Sequence, residues 1–177
     1  QSPEGYWKAW INPDPLGNFY PLTTLAEWLE WRLWGGETFG YHLVSVVLHI
    51  TSALLLWKLF HRLGFSFAWL GALLFLTHPL MVESVAWISE LKNTLALPLL
   101  LMAMLTWLDY EEKGETEIYR IALIWFGLAL AAKTTGVMLP VVLLGYIWWK
   151  KGKIDGGDLK ALAPFFAVAL IAGLITL

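Results

Sequence analysis

With 58% hydrophobic and only 15% charged side chains and a mean hydropathy of +0.61, this 177-residue chain lies outside the range of soluble domains, in which about a quarter of residues are charged. A net charge of −2 without any basic tract argues against nucleic acid as a partner. The absence of Cys removes disulfides, thiolate nucleophiles and cysteine metal sites. What remains is an all-α membrane protein, a multi-pass bundle whose first partner is the lipid bilayer, and twelve Trp suit its two headgroup layers.

In chain order, residues 1–40 differ from the rest. Pro3, Pro13, Pro15, Gly17 and Pro21 predict irregular backbone up to Tyr20. From Leu22 a short interfacial helix is expected, with Leu22, Leu25, Ala26, Leu29 and Leu33 as an apolar stripe and Glu27 and Glu30 on the other side. Trp28, Trp31 and Trp34 flank that stripe, and Gly35 and Gly36 end it.

Residues 41–177 carry about six spans, since about 20 apolar residues cross the hydrocarbon core. Tyr41 to Phe60 is the first, Phe65 to Val82 the second and Thr94 to Leu108 the third. Ile118 to Trp149 is too long for one helix and is interrupted at Lys133-Thr134-Thr135-Gly136, which predicts two short helices joined by a tight turn. Ala161 to Leu177 begins a sixth span and is cut off. Because the chain starts at Gln1 and stops inside an apolar run, a piece of a longer protein is expected.

Basic residues are retained on the cytoplasmic side. Placing the Arg62 loop there puts Lys58, Arg62, Lys113, Arg120, Lys150, Lys151, Lys153 and Lys160 on one side, and Lys8, Arg32, Lys92 and Lys133 on the other. The N-terminal segment, the polar hairpin His78 to Asn93 and the Lys133 to Gly136 turn then share the extracytoplasmic face. Convergence of three polar segments is what a site at a bilayer surface requires.

Lys133, followed by Thr134 and Thr135, places an ammonium and two hydroxyls at the start of the next helix, an arrangement suited to a phosphate at headgroup depth. A snorkelling lysine with no further role fits the same position. In the hairpin, Glu83 and Glu90 are seven apart and would share one face of a continuous helix, with His78 and Lys92 nearby. Such carboxylates and imidazoles bind a divalent cation or exchange protons, although spacing alone favours a local salt-bridge network. His42 and His49, also seven apart, admit a haem or chlorin role, although a hydrogen bond between helices is the commoner use of a membrane imidazole. No phosphate-binding glycine loop, nucleophile elbow or protease-type histidine pair occurs.

An ordered set of short motifs gives these residues a context. Tyr20-Pro21-Leu22-Thr23 is followed by Leu33-Trp34-Gly35, Phe39-Gly40-Tyr41-His42-Leu43-Val44, Leu48-His49 and Arg62-Leu63-Gly64. His78-Pro79-Leu80, Glu83-Ser84-Val85-Ala86-Trp87, Glu90-Leu91-Lys92-Asn93, Ala131-Ala132-Lys133 and Leu139-Pro140 complete it. From about Trp7 to Lys153 the chain resembles the membrane core of the GT-C glycosyltransferase superfamily, and in particular bacterial relatives of the transmembrane and TPR-containing O-mannosyltransferases.

The resemblance implies transfer of a sugar from a polyprenyl-phosphate carrier to an extracytoplasmic acceptor, in a multi-pass protein of the cell membrane, here the bacterial inner membrane. It implies that Lys133 and Lys92 contact the carrier phosphate with His78 and Thr134, that Glu83 and Glu90 shape or charge the pocket, and that Tyr20 to Thr23 lines its rim. It also implies a first span and a pair of acidic residues that would precede Gln1. Asp14, set in Asn12-Pro13-Asp14-Pro15, does not match that pair, and Leu91 stands where relatives often carry arginine. The catalytic residue is therefore unassigned, with Asp14, Glu83 and Glu90 as candidates, and a divalent cation is left open. The rival reading is a non-catalytic subunit that keeps the fold and packs against other membrane subunits.

Overall fold

A computed structural model describes residues 20–176, which are helical throughout apart from short connections. Asp14 and the expected irregular loop before Tyr20 lie outside the described residues.

Helix α1, Pro21–Trp34, begins with a proline whose missing N–H costs nothing in a first turn, and it ends at Gly35 with φ 56°. Leu29 and Leu33 are exposed, whereas Thr23 and Glu30 are buried. Lipid tails are as apolar as leucine, so burying the stripe against protein gains little, and the Thr23 hydroxyl turns inward to a partner instead.

Helix α2, Thr38–Arg62, passes Gly40 beneath the Trp34 indole, where a Cβ would lie 2.1 Å from a ring carbon. Helix α3, Ala68–Thr77, packs back on α2 through Gly71, whose missing Cβ would meet the Phe60 ring at 2.8 Å. The second expected span is not one straight helix. It breaks at His78-Pro79 and resumes as α4, Leu80–Ala86, at an angle of 62°. Pro79 has no N–H to continue the ladder and holds His78 extended at ψ 129°.

Trp87 is extended, and a 3-10 turn, Ile88–Glu90, leads into α5, Leu91–Lys113. Glu83 and Glu90 are thus not on a continuous helix, and their spacing of seven does not bring them to one face.

Helix α6, Thr116–Ala132, stops at an extended Lys133. The turn that follows is a 3-10 helix, Thr134–Met138, before α7, Leu139–Lys151. Gly136 is buried there, with Leu100 and Leu130 methyls 3.1 and 3.3 Å from where a Cβ would stand. Helix α8, Gly156–Ile175, starts with a capping box in which the Asp155 side chain accepts from the Gly157 and Asp158 N–H groups and Asp158 accepts from the Asp155 N–H.

Among the described residues three helical stretches are long and apolar enough to cross a membrane, Thr38–Arg62, Ile88–Lys113 and Gly156–Ile175, and the bent α3–α4 pair makes a fourth if it counts as one span. α6 has 17 residues and α7 has 13. Alanines 103, 122, 129 and 132 are fully buried, which lets neighbouring backbones approach closely. Around Phe165 of α8, the Trp107 ring meets edge-on at 5.3 Å and Phe126 stacks at 5.4 Å. Among the described residues there is no strand, and the chain is an all-α membrane helix bundle.

Candidate functional site

The break between α6 and the 3-10 turn sets Lys133 beside the start of α5. The Lys133 Nζ donates to Asn93 Oδ1, and the Asn93 amide donates to Glu90 Oε2 and, at 3.4 Å, to Ser84 Oγ. Glu90 Oε1 in turn faces Lys92 Nζ at 3.4 Å. One connected network therefore joins Lys133 to the hairpin over a separation of 40 residues. Helix α1 closes on the same place, with the Thr23 hydroxyl donating to the Ala132 carbonyl at 2.8 Å.

The chemistry of this arrangement follows from its charges. The Glu90 carboxylate is already matched by Lys92, whereas the Lys133 partner is a neutral amide. Among the described residues no carboxylate pairs with the half-buried Lys133 ammonium, which is held in place in a state suited to receiving an anion.

The other expected site residues divide. Tyr20 caps α1, its carbonyl accepting from the Thr24 N–H at 2.9 Å. Thr134 opens the 3-10 turn and lines an apolar cavity with Pro21, Ala131 and residues of α8. His78 is exposed, accepts from the Leu80 N–H at 3.2 Å, and lines a different cavity of about 370 Å³ together with His42 and His49. Glu83 lies exposed on α4. His49 Nε2 sits 3.1 Å from the Leu76 carbonyl, an interhelical hydrogen bond. Among the described residues no three His, Asp or Glu side chains are grouped so as to hold a metal ion.

Two residues were not singled out from the sequence. Asn93 is the hub of the network, and its i to i+3 spacing from Glu90 was the available signal. Glu30 is 5% exposed, and its Oε1 has no hydrogen-bond partner among the described residues. Burial, reinforced by the nearby charge of Glu27, pushes its pKa up to about 7. Crowding also raises the Glu27 carboxyl, against the opposing pull of Lys92, which ties this face of α1 electrostatically to the hairpin. The seven-residue interval from Thr23 to Glu30 already placed both on one face of a helix.

The sequence profile of the dolichyl-phosphate-mannose-protein mannosyltransferase family matches residues 18–176. A relative described as protein O-mannosyl-transferase F38B6.6 from Caenorhabditis elegans is 32% identical over 87 residues, which make up 46% of this chain and 13% of that protein. No solved structure matches.

Proposed function

The chain belongs to the dolichyl-phosphate-mannose-protein mannosyltransferase family, and from that premise we propose that it forms the donor-phosphate wall of a membrane glycosyltransferase. The donor is a sugar carried on a polyprenyl phosphate, and the site opens on the extracytoplasmic side. Supporting this is the Lys133–Asn93–Glu90–Lys92 network, which fixes an uncompensated ammonium where two polar segments and α1 meet.

In this mechanism the acceptor oxygen attacks the anomeric carbon as the bond from sugar to phosphate breaks. The electron pair leaves on the phosphate oxygen, where negative charge grows. Lys133 stabilises that charge, and Asn93 holds the ammonium in register before the donor arrives. Lys92 lies close enough to share the phosphate while keeping Glu90 paired. Tyr20 starts the helix that closes on Lys133 and Thr134 follows it in the turn, while His78 lines a separate cavity and Glu83 stands exposed on α4. The proton acceptor for the incoming hydroxyl is unassigned among Asp14, Glu83 and Glu90.

The test is transfer or hydrolysis of a short-chain polyprenyl-phosphate mannose by the full-length protein in detergent or nanodiscs. Lys133→Ala is expected to lower turnover about 100-fold or more, the range found when one charge-stabilising donor is removed. Turnover equal to wild type in that variant would remove Lys133 from the site.

A further inference from the structure

We propose that the end of the bundle remote from Lys133 holds a second, unassigned site, for the headgroup of a phospholipid that carries both a phosphate and a primary ammonium. It lies about 27 Å along α5 from Asn93, from the 1.5 Å rise per residue of the helix, and is independent of the transfer chemistry. A cavity of about 460 Å³ opens there between the ends of α5 and α7 and the start of α8. Its lining includes Trp107, Glu111, Lys150, Lys151, Asp155 and Asp158.

The first observation is an unmet donor. Trp107 is 1% exposed, and its indole Nε1 has no hydrogen-bond partner among the described residues. A buried N–H without an acceptor is disfavoured, so an oxygen from outside the chain is the expected occupant.

The second is the pattern of charge. Lys150 faces Glu111 at 3.2 Å and Lys151 faces Asp158 at 2.5 Å, with Asp155 alongside. Both signs therefore alternate around one opening. Two ammonium groups against three carboxylates disfavour a purely anionic ligand, while a phosphate joined to an ammonium finds a partner for each end. A primary ammonium donates hydrogen bonds to Glu111 and Asp155, which a quaternary ammonium does not.

The third is depth. Trp148 and Trp149, on the last turn of α7 just before the two lysines, are 61% and 62% exposed. Exposed tryptophan next to lysine marks the headgroup layer of a bilayer. The cavity thus sits where a lipid headgroup, rather than a soluble metabolite, is the concentrated ligand.

Native mass spectrometry of the full-length protein, delipidated in detergent and offered equal amounts of phosphatidylethanolamine, phosphatidylcholine and phosphatidylglycerol, tests this. Wild type is expected to retain the ethanolamine lipid at least fivefold over the other two. Trp107→Phe, which keeps the ring and removes the N–H, and Glu111→Gln, at the rim, are each expected to abolish that preference, while Lys133→Ala keeps it. Glu111→Gln decides the matter if the core substitution fails to fold. Equal retention of the three lipids by wild type, or full preference in the Glu111 variant, overturns the proposal. Displacement of the lipid by soluble phosphoethanolamine at comparable concentration overturns the lipid as the source.

Discussion

The neutrality of Asn93 matters as much as the charge of Lys133. An amide orients the ammonium without cancelling it, so Asn93→Asp adds a counter-charge at the point where the donor phosphate is expected. That nearly isosteric change should raise the KM for the lipid-linked donor about tenfold, and kinetics with a short-chain donor checks it. Glu30 provides a pH test. Its pKa rises from 4.5 to about 7 on folding, so between those values the folded protein holds a proton that the unfolded chain has released. Stability accordingly falls as pH rises through that window and levels off above it. Glu30→Gln should flatten this dependence and stabilise the protein at pH 8 by about 1–2 kcal/mol after discounting for solvent. Thermal unfolding in detergent at pH 5 and pH 8 measures both.

At the scale of elements, apolar runs and breaks were legible and orientations were not. The interruption after Ala132 was visible because Lys133-Thr134-Thr135-Gly136 halts an apolar run that is too long for one helix. The bend at His78-Pro79 was missed because apolar residues continue past it, and only the proline marks it. The burial of Glu30 was missed for another reason. The period of three and four separates the leucine stripe from Glu27 and Glu30, but only the packing of α1 on its neighbours selects Glu30 for burial and leaves Glu27 exposed. The cluster was legible in part, since the sequence pointed to Lys133, Lys92 and Glu90, but what links them is Asn93, and that link depends on how α5 and α6 pack. Close packing also predicts sensitivity at Gly40. A methyl there would lie 2.1 Å from the Trp34 indole, so Gly40→Ala must move the ring and loosen α1 from α2. A loss of about 1–3 kcal/mol is expected, and thermal unfolding of the variant reads it.

Across the whole molecule, α5, α6 and α8 share one aromatic core. Phe165 is fully buried and touches Trp107, Tyr119 and Phe126, which come from two other helices. Phe165→Ala should cost about 3–5 kcal/mol, measurable by denaturation in mixed micelles, and should loosen both ends of the bundle together. The hydrogen bond from Thr23 to Ala132 spans 109 residues of sequence. At ribosomal rates of about 5–20 residues per second, that interval corresponds to about 5–20 s of synthesis. During that time the Thr23 hydroxyl lacks its Ala132 acceptor. The cluster around Lys133 is therefore a late product of biogenesis, closed by α1 only when the chain beyond Ala132 has been made.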